Sequence, residues 1–242
     1  MTATPRIDPA DPRLAALVLK NGAHRSPTDG LCLMEAVAWM RGVAHTDHPA
    51  CVAPTIGAAG RAFNDNLPTD DIRTRLCVPL IPIIVGTATT AADEDTRAWL
   101  ATDFLVREVT PSWMELAGLT ATAAQLRAAP PLTNSAIALA LGDLLRQAQH
   151  ESAAAGAAAW DAAWDAAGAA AWDAAWAAAG AAAWDAARDA ARDAARDAAR
   201  DAARAATYET MYTAVKARLT PTADRLNLLT VDLITRMAEV GR

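Results

Sequence analysis

The chain is 242 residues long, has a formal net charge of −6, and contains only three cysteines. An acidic balance disfavours general nucleic-acid binding, which needs a basic surplus to neutralise phosphates. An odd, sparse cysteine count disfavours a disulfide scaffold and points to a reducing, cytoplasmic setting.

Residues 1–11 contain Pro5 and Pro9 among small polar residues and read as a flexible lead-in. No basic start with an apolar stretch follows, so no secretory signal is expected. Asp11-Pro12 then makes a reasonable helix start. Residues 21–30 (NGAHRSPTDG) form a turn-rich loop, and LCLMEAVAWM is apolar on every face except at Glu35. A helix of that kind belongs inside a domain. Gly42 ends it, and a helix is expected from Val52 to Asn66. In 69–85, CVPLIPIIV has β-branched content, but Pro79 and Pro82 favour a kinked helix over a paired strand. Asp93–Val109 has helical spacing that Pro111 is expected to interrupt, with a short further helix in SWMELAGL. Pro130-Pro131 stops the next helix, and Thr133 is the expected cap of one running through LALGDLLRQAQ.

From Gly156 to Arg204 every fourth residue is Trp, Arg or Gly, the next is Asp or Ala, and the other two are Ala. A 12-nucleotide unit copied by replication slippage, with single base changes, would produce such a pattern, which is a hypothesis about its origin. Alanine content predicts helix, with breaks at Gly156, Gly168 or Gly180. The repeat would extend about 75 Å at about 1.5 Å per residue, too interrupted by Asp and Arg to be a membrane span. A four-residue period advances about 40° per repeat, so Trp160, Trp164, Trp172, Trp176 and Trp184 spiral and exclude a heptad coiled coil. These tryptophans are expected to pack on protein, and self-association through the arm is the expected partnership. The Asp/Arg section, 185–204, is expected to be more exposed. Pro221 is expected to break the chain before an amphipathic C-terminal helix.

One cluster of residue types can carry chemistry. Cys32 and Glu35 share a helix face at i,i+3, and Cys32 sits near a helix N-terminus, where the dipole favours a thiolate. With His24 nearby, Cys32 and Glu35 are candidate catalytic residues of a cysteine enzyme. The competing readings are a cysteine packed as a small hydrophobe and a Glu35 paired with Arg61. His45, His48 and Cys51, spaced three apart around Asp47, are candidate zinc ligands, with zinc the less favoured reading. Lys20, His24, Glu35, Asn64 and Asp65 are candidate ligand-binding residues.

The strings Lys20-x-Gly22-x-His24, Gly30-x-Cys32-x-Met34-Glu35-Ala36-Val37-Ala38, His45-x-Asp47-His48-Pro49-x-Cys51-x-x-Pro54 and Asn64-Asp65 carry a resemblance. The chain resembles a family of actinobacterial and phage proteins with variable Ala/Trp/Asp/Arg tails. The likeness extends through residues 101–119. It implies no activity, and suggests a phage–host conflict (anti-defence) role by context alone.

The expected architecture is all-α: a lead-in (1–11), a compact helical domain (12–150), a repeat arm (151–219) and a docking C-terminal helix (220–242). The expected function is a non-enzymatic binding or assembly protein that captures a partner or a small ligand. The alternative is a metal- or cysteine-dependent enzyme using the Cys32/Glu35/His cluster.

Overall fold

The computed structural model describes residues 7–155 and 215–242, and among these every regular element is a helix. The expectations for Gly156, Gly168, Gly180, Trp160–Trp184 and section 185–204 lie outside the described residues.

Order begins earlier than the lead-in implied. Ile7 is buried in the core, and Asp8 Oδ1 accepts the Ala10 amide at 2.9 Å. Helix α1 (Pro12–Ala15) starts as its sequence suggests: Asp11 accepts the Arg13 amide, and Pro12 occupies a first-turn position that needs no N–H donor. Helix α2 (Leu33–Met40) buries seven of its eight residues, only Trp39 being exposed. Helix α3 (Pro54–Asn66) lies against it. A Cβ at Gly60 would come within 2.8 Å of Met34 Cε, so glycine lets the two helices close.

Helix α4 (Asp70–Cys77) is capped by Thr69 and has Asp70 and Asp71 in its first turn, where the helix dipole favours negative charge. It runs through one 3₁₀ turn (Val78–Leu80) into α5 (Ile81–Ile84). Pro79 and Pro82 each stand in the first turn of their piece, so the chain kinks and stays helical. Leu80, Ile81 and Ile84 are fully enclosed, each burial contributing roughly 1.5–3 kcal/mol.

Pro111 does not interrupt the next segment. Helix α6 (Ala91–Phe104) passes through a π-helical stretch (Leu105–Val109) into α7 (Thr110–Leu116). A proline ring clashes with the carbonyl four residues back, and the wider π turn relieves that clash. Side-chain hydroxyls serve nearby carbonyls: Thr110 Oγ1 donates to Leu105 O at 2.8 Å and Ser112 Oγ to Glu108 O at 2.5 Å.

Helix α8 (Thr120–Ala128) precedes the Pro130-Pro131 stop. The cap of α9 (Ser135–Ala140) is Asn134, not Thr133: Asn134 Oδ1 accepts the Ile137 amide at 3.1 Å. A turn at Leu141 separates α9 from α10 (142–155), so the expected single helix is two.

Pro221 does not break the chain either. Helix α11 is continuous from 215 to 239, with Pro221 exposed inside it and Thr220 Oγ1 donating to Lys216 O at 2.7 Å. Its inward face delivers Leu233, Ile234, Met237 and Ala238 to the same core as α2, α3 and α5. A smaller cluster, Met114, Ala123, Leu126 and Ala148, joins α7, α8 and α10.

Arg97 ties the C-terminal helix in place. Its side chain is fully buried; Nε donates to Met237 O at 3.0 Å and a terminal nitrogen to Val240 O at 2.7 Å. Glu94 pairs with the other terminal nitrogen at 2.7 Å and takes the Thr55 amide at 3.0 Å. One ion pair therefore joins α3, α6 and α11. No helix of the described residues is long and apolar enough to cross a membrane.

Candidate functional site

Glu35 sits on a helix with no other charge, and it is 1% exposed. A carboxylate so placed needs donors. It finds three: Oε1 accepts the His24 amide at 2.7 Å, and Oε2 accepts the Cys32 amide at 2.8 Å and the His24 ring Nδ1 at 2.8 Å. His45 Nε2 adds a longer contact to Oε1 at 3.5 Å. Burial pushes the Glu35 carboxyl up, but the amides of His24 and Cys32 and the His24 ring outweigh it. The group is held below its ordinary range.

The histidines are oriented by these bonds. His24 Nδ1 donates to the carboxylate, and the His24 ring lies against Gly30, where an added Cβ would sit 2.7 Å from His24 Cδ2. Gly30 has φ +143°, a backbone conformation that glycine alone adopts freely. His45 Nε2 donates to the His24 carbonyl at 2.9 Å, and its buried Nδ1 has no hydrogen-bond partner among the described residues.

A second polar hub lies on α3. Asn64 is fully buried; Oδ1 accepts the Leu33 amide at 3.1 Å, and Nδ2 donates to Lys20 O at 2.9 Å and to Asp65 Oδ1 at 2.9 Å. Asp65 Oδ1 also accepts the Gly22 amide at 2.8 Å. Lys20 Nζ pairs with Asp70 at 2.6 Å, and this lysine beside it lowers the Asp70 carboxyl. Finally, Lys20 N donates to Leu31 O at 2.9 Å. The Glu35 group (His24, Cys32, His45) and the Asn64 group (Lys20, Asp65) thus brace the loop of residues 21–30 from two sides, meeting through the main chain of Leu31 and Leu33.

Other expected contacts are absent. Arg61 donates to Asp47 O at 2.9 Å, so Glu35 finds its partners in the loop instead. Cys32 is the N-cap residue of α2, its sulfur accepting the Glu35 amide, and burial pushes its thiol up to about 12. Desolvation overrides the helix dipole, and the expected thiolate is not favoured. The candidate zinc residues part company: His45 turns to His24, His48 pairs with Asp47 at 2.7 Å on the surface, and burial raises the Cys51 thiol. Among the described residues no three His, Cys, Asp or Glu side chains gather as metal ligands.

Sequence reasoning missed Arg73 and Thr74, which complete the network from α4. Arg73 Nε donates to Asn64 O at 2.8 Å and a terminal nitrogen to Leu67 O at 2.8 Å; Thr74 Oγ1 accepts the Leu19 amide at 2.9 Å. The one available signal was Asp70-x-x-Arg73, an i,i+3 pair. No protein family model, curated protein or solved structure matches the chain.

Proposed function

We propose that the protein is a non-enzymatic binding or assembly protein, and that the loop of residues 21–30 is a recognition surface held in fixed shape by the buried network. The observation that carries this reading is the clasp of Glu35 on the amides of both His24 and Cys32. Its three strong hydrogen bonds all fix the loop and its junction with α2, so the buried charge has a positioning task. Arg25, Pro27, Thr28 and Asp29 face outward on that loop. Polar groups on a loop positioned by a rigid scaffold are the usual makings of a binding site.

The enzyme reading keeps one specific observation. His24 is oriented through Nδ1 by a carboxylate, the arrangement that readies an opposite Nε2 for proton transfer. Cys32, capped and buried, does not supply a nucleophile to it.

The test is capture of cellular partners on wild-type protein and on the surface variant R25D/P27A, which touches none of the network. A partner held by wild type and released by R25D/P27A, at equal melting temperature, supports the reading. Identical partners on both proteins, or none on either, overturn it.

A further inference from the structure

Five asparagines occur in the chain, and Asn21 alone is followed by glycine. That pair carries its own chemistry. Once the Gly22 main-chain nitrogen gives up its proton, it can attack Asn21 Cγ. A new C–N bond closes a five-membered succinimide, and the Cγ–Nδ2 bond breaks to release ammonia. Water then opens the ring at one of its two carbonyls, leaving aspartate or isoaspartate. One water enters and one ammonia leaves, with no oxidant or reductant. Glycine has no side chain to hinder the closing ring. Gly22, at φ +79°, has no atom beyond its chain neighbours within 4 Å of where a Cβ would stand. Asn21 is exposed, so water reaches it.

Both reacting groups are engaged by one residue of α3. The Gly22 amide donates to Asp65 Oδ1 at 2.8 Å, and Asn21 Nδ2 donates to Asp65 O at 3.2 Å. Buried Asn64 steadies the carboxylate by donating to the same Oδ1 at 2.9 Å. The Gly22 N–H is therefore committed to a charged acceptor, a stronger bond than a neutral one. A carboxylate is too weak a base to take a peptide proton, and its charge opposes a second negative charge on the nitrogen beside it.

We propose that Asn21-Gly22 is a self-modification site that converts to aspartate and isoaspartate, and that Asp65 holds it unreacted while the loop is seated on α3. Conversion is one-way, and it releases the loop. The new carboxylate at position 21 brings an acceptor to the Asp65 carbonyl where a donor stood. Isoaspartate also adds a carbon to the main chain between Lys20 and Gly22. The register there is fixed on the Lys20 side too, where Lys20 O accepts Asn64 Nδ2 at 2.9 Å and Lys20 N donates to Leu31 O at 2.9 Å. This inference concerns the covalent chemistry of the loop and does not rest on the loop's binding a partner.

The test ages full-length wild type, D65A, D65N and N21Q at neutral pH, with peptide mapping that separates aspartate from isoaspartate at residue 21. Wild type in urea gives the unrestrained rate, and N21Q, whose longer side chain closes a ring poorly, is the unreactive control. Folded wild type is expected to convert about tenfold more slowly than the unfolded chain, and D65A to recover most of that factor, the weight of one hydrogen bond to a charged group. D65N keeps an acceptor oxygen without the charge, so it serves if D65A does not fold, and its rate is expected to lie between wild type and D65A. Amide exchange over 33–40 reports an intact α2 in each variant, while exchange over 21–30 is expected to rise in converted wild type. Three results overturn the proposal: D65A and D65N that convert no faster than folded wild type, folded wild type that matches the rate in urea, or converted chain whose exchange over 21–30 equals that of fresh protein.

Discussion

Glu35 holds His24 twice, by its main-chain amide at 2.7 Å and by its ring Nδ1 at 2.8 Å. A single buried carboxylate thereby fixes both the backbone and the ring of one loop residue. The consequences of removing it are specific.

Glu35→Ala strands two amide donors and the His24 ring in a buried space. A loss of about 3–5 kcal/mol is expected, the usual result of breaking a buried charged pair from one side. Glu35→Gln keeps one acceptor oxygen and is expected to cost less. Urea unfolding of the two variants measures both; equal, near-zero losses would show that the clasp does not stabilise the fold.

The same clasp sets a pH dependence. The folded-state carboxyl of Glu35 is held low, so below neutral pH the unfolded chain takes up its proton first. The stabilisation is complete well above the unfolded value of about 4.3 and declines as pH falls through the lower folded value. Denaturation midpoints measured from pH 6 to pH 2 are expected to fall less steeply for Glu35→Gln than for wild type.

Gly30→Ala combines two penalties. Its φ of +143° disfavours any Cβ, and that Cβ would meet the His24 ring at 2.7 Å. A cost of about 1–3 kcal/mol is expected from the backbone alone. Amide exchange across 21–30 is expected to accelerate, because the displaced ring loosens its bond to Glu35.

The thiols give a chemical readout. Burial pushes Cys32 and Cys77 up to about 12, so neither offers a thiolate at neutral pH. In native protein a maleimide is expected to label half-buried Cys51 first, and Cys32 and Cys77 only with unfolding. Peptide mapping decides this, and rapid labelling of native Cys32 would revive a nucleophilic role.

Arg97→Leu removes the donors that Met237 O and Val240 O accept, and strands Glu94. Destabilisation of about 3–5 kcal/mol is expected. Hydrogen exchange is expected to rise most in 230–242.

The helical class was legible because apolar spacing and caps are local signals. Asp11-Pro12 and the all-apolar run around Glu35 became α1 and α2 for the physical reasons that the sequence suggests. Prolines were misleading where the helix itself could accommodate them. Pro111 sits beside a π turn and Pro221 within a continuous helix, and hydroxyls of Thr110, Ser112 and Thr220 bond carbonyls near them. Lys20, His24, Glu35, Asn64 and Asp65 all lie around the loop of residues 21–30, but neither that placement nor the bonds each makes could be read from their spacing. Spacing cannot show that Glu35 reaches back to His24 rather than across to Arg61. Arg97 was invisible for the same reason, since its carbonyl partners stand about 140 residues away.

That separation has a consequence for synthesis. A ribosome adding about 5–20 residues per second needs roughly 7–30 s to travel from Arg97 to Met237. Throughout that interval the guanidinium lacks the carbonyls that will receive it. The apolar surface reserved for Leu233, Ile234, Met237 and Ala238 also stays open. The whole repeat must be translated before the core can close, so every four-residue unit added to it lengthens the time in which the nascent chain is exposed to aggregation and proteolysis.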